Sequence, residues 1–341
     1  MTMSDVDDRT TTMAVTDEPR PTRRSPVRWA DAYALVGVVI AMALIFCVLP
    51  ATSATFPSGE NFKAILGSQS VLAIVALAAL IPLVCGQFDL SVGAILGVSS
   101  VFTASAMAHS GLPLLPAAVI GVGLGAGMGL ANGLIITRLR VNDVVTTLGT
   151  STILGGIVTW KTHGQSITGN ISTRLTDFGI ATTFGIPHIA IAAVVVALVV
   201  QYVLGHTPLG RYLYAFGSNR SAAELSGLRP DRLVVTAFLL SGALCGVAGV
   251  LQIARNGSAD PQVGPGFTLG ALTAAFLSAA AIKPGRYNVW GTLVAILFLA
   301  VLNSGLNLAG AQPYVNDWVN GVALIVGIAL ASLLGRRRVR A

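Results

Sequence analysis

Six side chains are polar, uncharged and set inside otherwise apolar stretches: Gln87, Asn132, Thr146, Thr147, Asn303 and Asn307. Amides and hydroxyls offer donors and acceptors without net charge, which suits an uncharged, hydroxyl-rich molecule. Asn303 and Asn307 stand four residues apart and share one face if their stretch is helical. The same groups also link packed helices by hydrogen bonds, so each has two readings. Gln87, Thr146, Thr147, Asn303 and Asn307 are the candidates for a solute path.

Ionisable chemistry is scarce. Asp31, Asp89 and Asp317 fall near the ends of apolar runs, and His109, His163, His188 and His206 lie at ends or in loops. Proton relays place such groups at membrane depth; this chain offers no evident relay, although sodium sites built from carbonyls and hydroxyls stay open. Asp89 precedes an apolar run, where a carboxylate accepts from exposed helix N–H groups and favours the positive end of the helix. A structural cap is expected there, with direct solute contact as the alternative. Cys47, Cys85 and Cys245 have no metal-ligand spacing and read as small buried side chains. No Gly-x-x-x-x-Gly-Lys-Ser/Thr phosphate loop occurs. No catalytic residue, metal or cofactor is expected.

The elements that must position these groups are set by composition. Of 341 residues, 54% are hydrophobic and 10% charged, with a mean hydropathy of +0.76. A soluble domain carries about 25% charged residues, so this chain is expected to be all-α and embedded in lipid. The net charge of +7 could suggest nucleic acid, but the charges sit in short loops and at both ends, where membrane orientation explains them better. Apolar runs at 30–49, 62–85, 90–108, 113–137, 144–160, 186–205, 232–254, 267–282, 287–309 and 314–334 predict about ten spans. The run at 30–49 is longer than a signal-peptide core and is read as a retained span, although Ala-Thr-Ser-Ala at 51–54 resembles a cleavage site. The runs at 144–160 and 267–282 are short and more polar, as tilted, broken or re-entrant spans would be. Alternating spans from an inside N-terminus leave only Lys63, Lys161, Arg174 and Arg255 of the 21 lysines and arginines outside. That asymmetry predicts an even span number and both termini in the cytoplasm. Residues 1–28 read as a disordered tail, 29–335 as the membrane domain and 336–341 as a basic tail.

Gly121, Gly125 and Gly129 lie four apart and predict a helix face for close backbone packing. The segment 206–231 is the longest interior loop on the cytoplasmic side. It contains helix grammar: Asn219 or Ser221 as N-cap, then Ala222, Ala223, Glu224 and Leu225, with Gly227 as stop. A short helix there either docks a partner or orders a connector.

That loop, from Gly210 to Leu228, resembles the coupling loop of the ribose-type monosaccharide ABC permease family. Gly86-Gln-Phe-Asp-Leu-Ser-Val-Gly93 is similar to the same family's Gly-Gly-x-Asp-Leu-Ser-Val-Gly, with Gln87 replacing its second glycine. Asn132-Gly-Leu with Thr147-Leu-Gly-Thr150, then Gly285-Arg286, Val289-Trp-Gly-Thr292 and Asn303 to Leu308, continue the likeness over roughly residues 60–330. The resemblance implies a membrane-lipid-embedded permease that pairs with a second copy or close paralogue. It further implies cytoplasmic ATPase subunits bound through the coupling helix Asn219–Gly227, with Glu224 as the polar contact, and an extracytoplasmic solute-binding protein. Residues 278–286 depart from the family's Gly-rich turn; a solute preference other than ribose follows only if that segment lines the exit path, and pentose, hexose, deoxysugar and polyol stay open. The competing readings are an ion-coupled secondary transporter and a passive channel; the first calls for ionisable groups within the spans, and the second leaves the 206–231 loop without a purpose.

Overall fold

The computed structural model describes the backbone of residues 26–339 and the side chains of 32–330 other than Pro313. The tail expected at 1–28 lies outside the described residues up to residue 25. Of the tail expected at 336–341, the helix backbone continues to Val339 and the last two residues lie outside.

Each apolar run becomes one long helix. In chain order these are α1 (Pro26–Val48), α2 (Gly59–Val84), α3 (Val92–Ala108), α4 (Leu114–Arg138) and α5 (Asp143–Thr162). A short helix α6 (Thr173–Ile180) precedes α7 (His188–His206), and α8 (Pro208–Ser218) and α9 (Arg220–Leu225) precede α10 (Pro230–Asn256). The bundle ends with α11 (Val263–Leu277), α12 (Val289–Leu308) and α13 (Pro313–Val339). The single small sheet among the described residues is an antiparallel hairpin of Thr182–Thr183 with Ile186–Pro187. Local chemistry sets the ends. Ser58, Asn142 and Asn288 accept from the first-turn N–H groups of α2, α5 and α12, and Gly257, at φ +65°, closes α10.

The core is organised around α2. From Ser70 to Val84 nearly every side chain is buried, because α3, α7, α10, α11 and α12 all pack on it. A helix apolar on all sides has no face to give to water. Six helices, α2, α4, α7, α10, α11 and α12, are long and apolar enough to cross a membrane, and α1, α3 and α13 contain shorter apolar segments. Val194, Val195, Leu198 and Val199 of α7 are all more than half exposed, an outward face that suits lipid. Of the tilted, broken or re-entrant forms expected for the run at 144–160, the unbroken helix Asp143–Thr162 excludes a break, and the run at 267–282 does end early, in a 3₁₀ turn at Ser278–Ala280.

The glycine face closes the bundle. A Cβ on Gly125 would stand 2.4 Å from the Gly242 carbonyl oxygen, and one on Gly129 would stand 2.1 Å from that of Phe238. α4 and α10 therefore touch backbone to backbone, as the four-residue spacing predicts. Gly121 turns instead to Thr103 of α3.

The loops sort to opposite ends. At one end Gly86 lies beside Gly217, the Phe88 N–H donates to Asp143 and the Tyr214 hydroxyl donates to the Tyr287 carbonyl at 2.7 Å. At the other, Ile167 pairs with Ala259, Gly179 abuts Ala254 and Gly185 lies beside Lys63. These pairings gather α8, α9 and the 281–288 turn at the first end, and α6 and the hairpin at the second.

Candidate solute path and coupling surface

Two cavities with polar side chains in their walls occupy the two ends, and three of the five path candidates, Gln87, Asn303 and Asn307, line them. At the α6 end, a cavity of about 600 Å³ opens between α2, α12 and the C-terminal end of α10. Asn61, Lys63, Ser68, Gln69, Arg255, Asn303, Ser304 and Asn307 line it. The four-residue spacing places Asn303 and Asn307 on its wall together. Several lining groups fix one another: the Ser304 hydroxyl donates to Asn61 Oδ1 at 2.9 Å, and Arg255 Nη1 donates to the Ser68 carbonyl at 3.3 Å. Gln69 Oε1 and Asn303 Oδ1 are shielded from solvent and accept no hydrogen bond among the described residues.

At the other end, a cavity of about 810 Å³ is lined by Gln87, Thr137, Arg140, Asn142, Asp143, Arg220, Glu224 and Asp231. It brings Gln87 into the same space as Glu224 of α9. Thr146 and Thr147 do not line either cavity. The Thr146 hydroxyl donates to the Asn142 carbonyl at 2.9 Å, and Thr147 Oγ1 accepts from the Leu90 N–H at 3.1 Å and donates to the Asp143 carbonyl at 2.8 Å. Both are holding the start of α5.

A buried polar network stands between the two cavities. Asp89 is fully buried. Its Oδ1 accepts from the Ser91 N–H at 3.0 Å and from the Ser91 hydroxyl, and its Oδ2 accepts from the Ser241 hydroxyl at 3.1 Å. Ser91 Oγ in turn accepts from Asn132 Nδ2 at 2.9 Å, and Asn132 Oδ1 accepts from the Thr150 hydroxyl at 2.6 Å. The segment before α3 is thus tied to α4, α5 and α10. Ser241 lies in the middle of α10, whose Pro230 end lines one cavity and whose Arg255 end lines the other. One expectation changes here: the cap position of α3 is Ser91, not Asp89, and Asp89 caps the Ser91 N–H two residues on. Asp89 does lie between the end of α2 and the start of α3, but the chain there is buried, and the carboxylate reaches Ser241 in the middle of α10. Asn132, which hydrophobicity marks only as one amide among several, is the central link. Its signal is a lone amide in a glycine-rich helix that has no other way to satisfy it.

The coupling segment is built from two helices. Thr207 accepts from the Gly210 N–H, Pro208 starts α8, and Leu209, Leu213 and Phe216 point inward. Asn219 is the N-cap of α9, its Oδ1 accepting from the Ala222 N–H at 3.0 Å, and Gly227, at φ +84°, follows the end of the helix. Ser221 is inside the helix instead. Ala223 is buried against the bundle, whereas Leu225 is 91% exposed. Glu224 pairs with Arg220 one turn back at 3.1 Å, and Arg220 also lies over the Phe216 ring. α8 is fastened to the opposite turn by Arg286, whose guanidinium lies 3.7 Å from the centre of the Tyr214 ring. Burial raises the Tyr214 phenol above its ordinary range, opposed in part by the Arg286 charge, so it remains a hydroxyl donor to Tyr287. α8 could have been found from its Thr-Pro start and its Leu209, Leu213, Phe216 stripe.

Among the described residues no group of three acidic, histidine or cysteine side chains is placed to hold a metal, and Cys47, Cys85 and Cys245 are free thiols.

Residues 61–328 match the family model described as branched-chain amino acid transport system / permease component. The chain is 32% identical to the ribose import permease protein RbsC of Escherichia coli over 85% of its own length and 91% of the relative's. It is 29% identical to the E. coli D-allose transport system permease protein AlsC over 92% and 96%, and 30% identical to the fructose import permease protein FrcC of Rhizobium meliloti over 81% and 78%. No solved structure matches. The all-helical bundle, its membrane-length apolar helices and this match over most of the sequence agree: the chain is a multi-pass protein of the cell membrane that belongs to the permease-component family of ABC import systems.

Proposed function

We propose that the chain is the membrane-spanning subunit of an importer for a small neutral sugar-like solute, driven by ATP hydrolysis on separate subunits. Its ten long helices cross the bilayer, and both termini and the α9 end face the cytoplasm. The observation that carries this reading is α9. A helix of six residues, capped at both ends and seated through Ala223, presents a leucine that is 91% exposed. An apolar side chain held out on a rigid, polar end of a bundle fits an interface anchor. The arginine and lysine asymmetry supports placing that end in the cytoplasm, and the relatives' names supply the solute class. In this reading Asn219, Ser221, Ala222, Ala223, Glu224, Leu225 and Gly227 form the lever on which a cytoplasmic ATPase acts.

The α6-end cavity is the entry chamber, fed by an extracytoplasmic binding protein, with Asn303, Asn307 and Gln69 recognising hydroxyls. The α9-end cavity with Gln87 is the exit. A second permease copy is supported by α5, which packs on α3 and α4 with one face while Gly149, Thr152 and Gly156 lie on an exposed face that lets another helix approach closely.

Leu225→Asp is expected to leave thermal stability unchanged and to weaken ATPase retention at least about tenfold, the order expected for a buried interface anchor; undiminished retention removes α9 from the interface. Asn303→Leu is expected to reduce uptake at low solute concentration by about 5- to 150-fold, the equivalent of about 1–3 kcal/mol for one lost hydrogen-bonding group. Unchanged concentration dependence in uptake assays places recognition elsewhere. Energy source separates the competing mechanisms: uptake should cease on ATP depletion and survive collapse of ion gradients. Dependence on an ion gradient, or uptake without either source, contradicts the proposal.

A further inference from the structure

A second charged concavity is not used by this path. It is small, about 150 Å³, and sits where α7 ends, α8 begins and the 281–288 turn enters α12. Three cations line it, Arg211, Lys283 and Arg286, together with Gln201 and Trp290, and no carboxylate does. The Arg220–Glu224 pair accounts for the ion pairing at this end, and none of the three cations takes part in an ion pair among the described residues. Arg286 is already aimed: its guanidinium stacks on Tyr214, whose hydroxyl is committed to Tyr287. Stacking and a hydrogen bond to the Tyr214 oxygen hold the planar group in place, and the remaining N–H groups of its fork are the ones an anion would meet. The turn behind it is rigid, because the buried Asn288 side chain donates to the Ser278, Ala281 and Arg286 carbonyls and accepts from the Gly291 N–H.

What lies beside the concavity decides which anion fits. Gln201 and Trp290 come from α7 and α12, both long and apolar enough to span the bilayer. Trp290 is 44% exposed and Leu297, two turns further along α12, is also 44% exposed. On α7, Tyr202, Leu198 and Val195 follow one another at helical spacing and are each more than half exposed. The cationic concavity thus sits beside exposed apolar side chains of both helices, and Trp290 on its rim and Tyr202 next to Gln201 suit a membrane boundary in the orientation proposed above. Basic pockets between spans on the cytoplasmic side hold anionic headgroups. A protein partner docking on α9 would be met by the Leu225 surface instead, and α9 contributes nothing to this concavity.

We infer that Arg211, Lys283 and Arg286 form a site for the phosphate of an anionic phospholipid headgroup, with the acyl chains lying along α7 and α12. The inference rests on the orientation proposed above and not on the identity of the solute. A bound lipid would brace α8, which carries α9, against the turn before α12.

The test uses the full chain, purified in mild detergent and titrated with phosphatidylglycerol or phosphatidylcholine, with bound lipid counted by native mass spectrometry. The wild-type chain is expected to retain phosphatidylglycerol in preference to phosphatidylcholine. Arg211→Gln with Lys283→Gln, both exposed and neither a side-chain partner of Asn288, is expected to weaken that retention at least tenfold with an unchanged melting temperature. Arg229→Gln with Arg232→Gln, arginines near the same end but outside the concavity, should retain it. Equal retention by all three proteins overturns the site. Displacement of the lipid by millimolar glycerol phosphate, or saturation by inorganic phosphate alone, overturns the lipid assignment in favour of a soluble anion. Loss of ATPase retention with lipid retention unchanged reassigns the cluster to protein docking. Failure of the importer reading would appear in the uptake assays and leave lipid retention as it is.

Discussion

Replacing Gly242 by valine is expected to leave almost no folded protein in the membrane. A Cβ there would stand 2.2 Å from the Gly125 carbonyl oxygen, and the reciprocal Cβ on Gly125 would stand 2.4 Å from the Gly242 oxygen. Both obstacles are backbone, so no side chain can turn aside, and relief requires α4 and α10 to separate. That separation also opens the α10 wall behind Phe238, Ser241 and Cys245, all fully buried. The loss is expected to exceed about 4 kcal/mol, the range in which single substitutions unfold a domain. Gly123→Val and Gly127→Val on α4 are the controls. Nothing lies within 4 Å of a Cβ at either position, and both variants are expected to match the parent. The fraction recovered as monodisperse protein after solubilisation, and its melting temperature, read the difference. A Gly242→Val protein that melts with the parent contradicts the backbone contact.

Asp89→Ala is expected to be nearly as damaging, and Asp89→Asn to be tolerated. Alanine strands the Ser91 and Ser241 hydroxyls in a fully buried site, at about 1–3 kcal/mol for each unsatisfied group. Asparagine keeps an oxygen for the Ser91 N–H and hydroxyl, and its amide can donate to Ser241 after the hydroxyl rotates. The expected order is therefore wild type close to Asn, with Ala several kcal/mol below, in thermal melts and in uptake. An Asn variant that melts normally but transports nothing would instead show that the charge itself takes part in the cycle.

The long helices were legible because lipid favours apolar runs of about 20 residues. Each of the ten runs became a helix, most ends falling within a few residues of those expected, and six of these helices are long and apolar enough to cross a membrane. The glycine face was legible for the same kind of reason: four-residue spacing on a helix has one geometric meaning, and Gly125 and Gly129 meet α10 as it requires. α9 was legible from its Asn219 cap and Gly227 stop, since both act on adjacent backbone.

What hydropathy did not reveal was depth. Asp89 was read as a span-end cap because the apolar runs on either side break there, yet the break is buried and its partner Ser241 comes from α10, far along the chain. Thr146 and Thr147 shared the look of path residues with Asn303 and Asn307. Their hydroxyls satisfy local backbone groups of α5, whereas the two asparagines line a cavity. A single polar residue in an apolar run does not say whether its partner is a neighbouring helix or a passing solute; the tertiary contact decides. α8 was overlooked because its amphipathic stripe is only 11 residues long and sits inside a polar loop. α6 and the hairpin beside it belong to the same class of short, locally weak elements that packing against α10 and α7 secures.

These pieces suggest how work done at one end reaches the other. α10 runs the length of the bundle from the α9-end cavity to the α6-end cavity, with the Asp89 network fastened at its middle and α4 locked along its side. In the proposed mechanism a push on α9 moves α8 and the start of α10 together. The buried hydrogen bonds then carry that displacement to α4 and α5 as one body.

The most direct test is gentle affinity purification of the tagged chain from its native membrane, beside the Glu224→Arg variant. Glu224 is a surface residue paired only with Arg220, and an exposed pair of this kind adds little to folding, so the variant should insert normally. The proposed function predicts that a cytoplasmic ATPase accompanies the wild-type chain and is lost from the variant. A chain that reproducibly purifies alone, yet carries solute across a bilayer when reconstituted by itself, would contradict it.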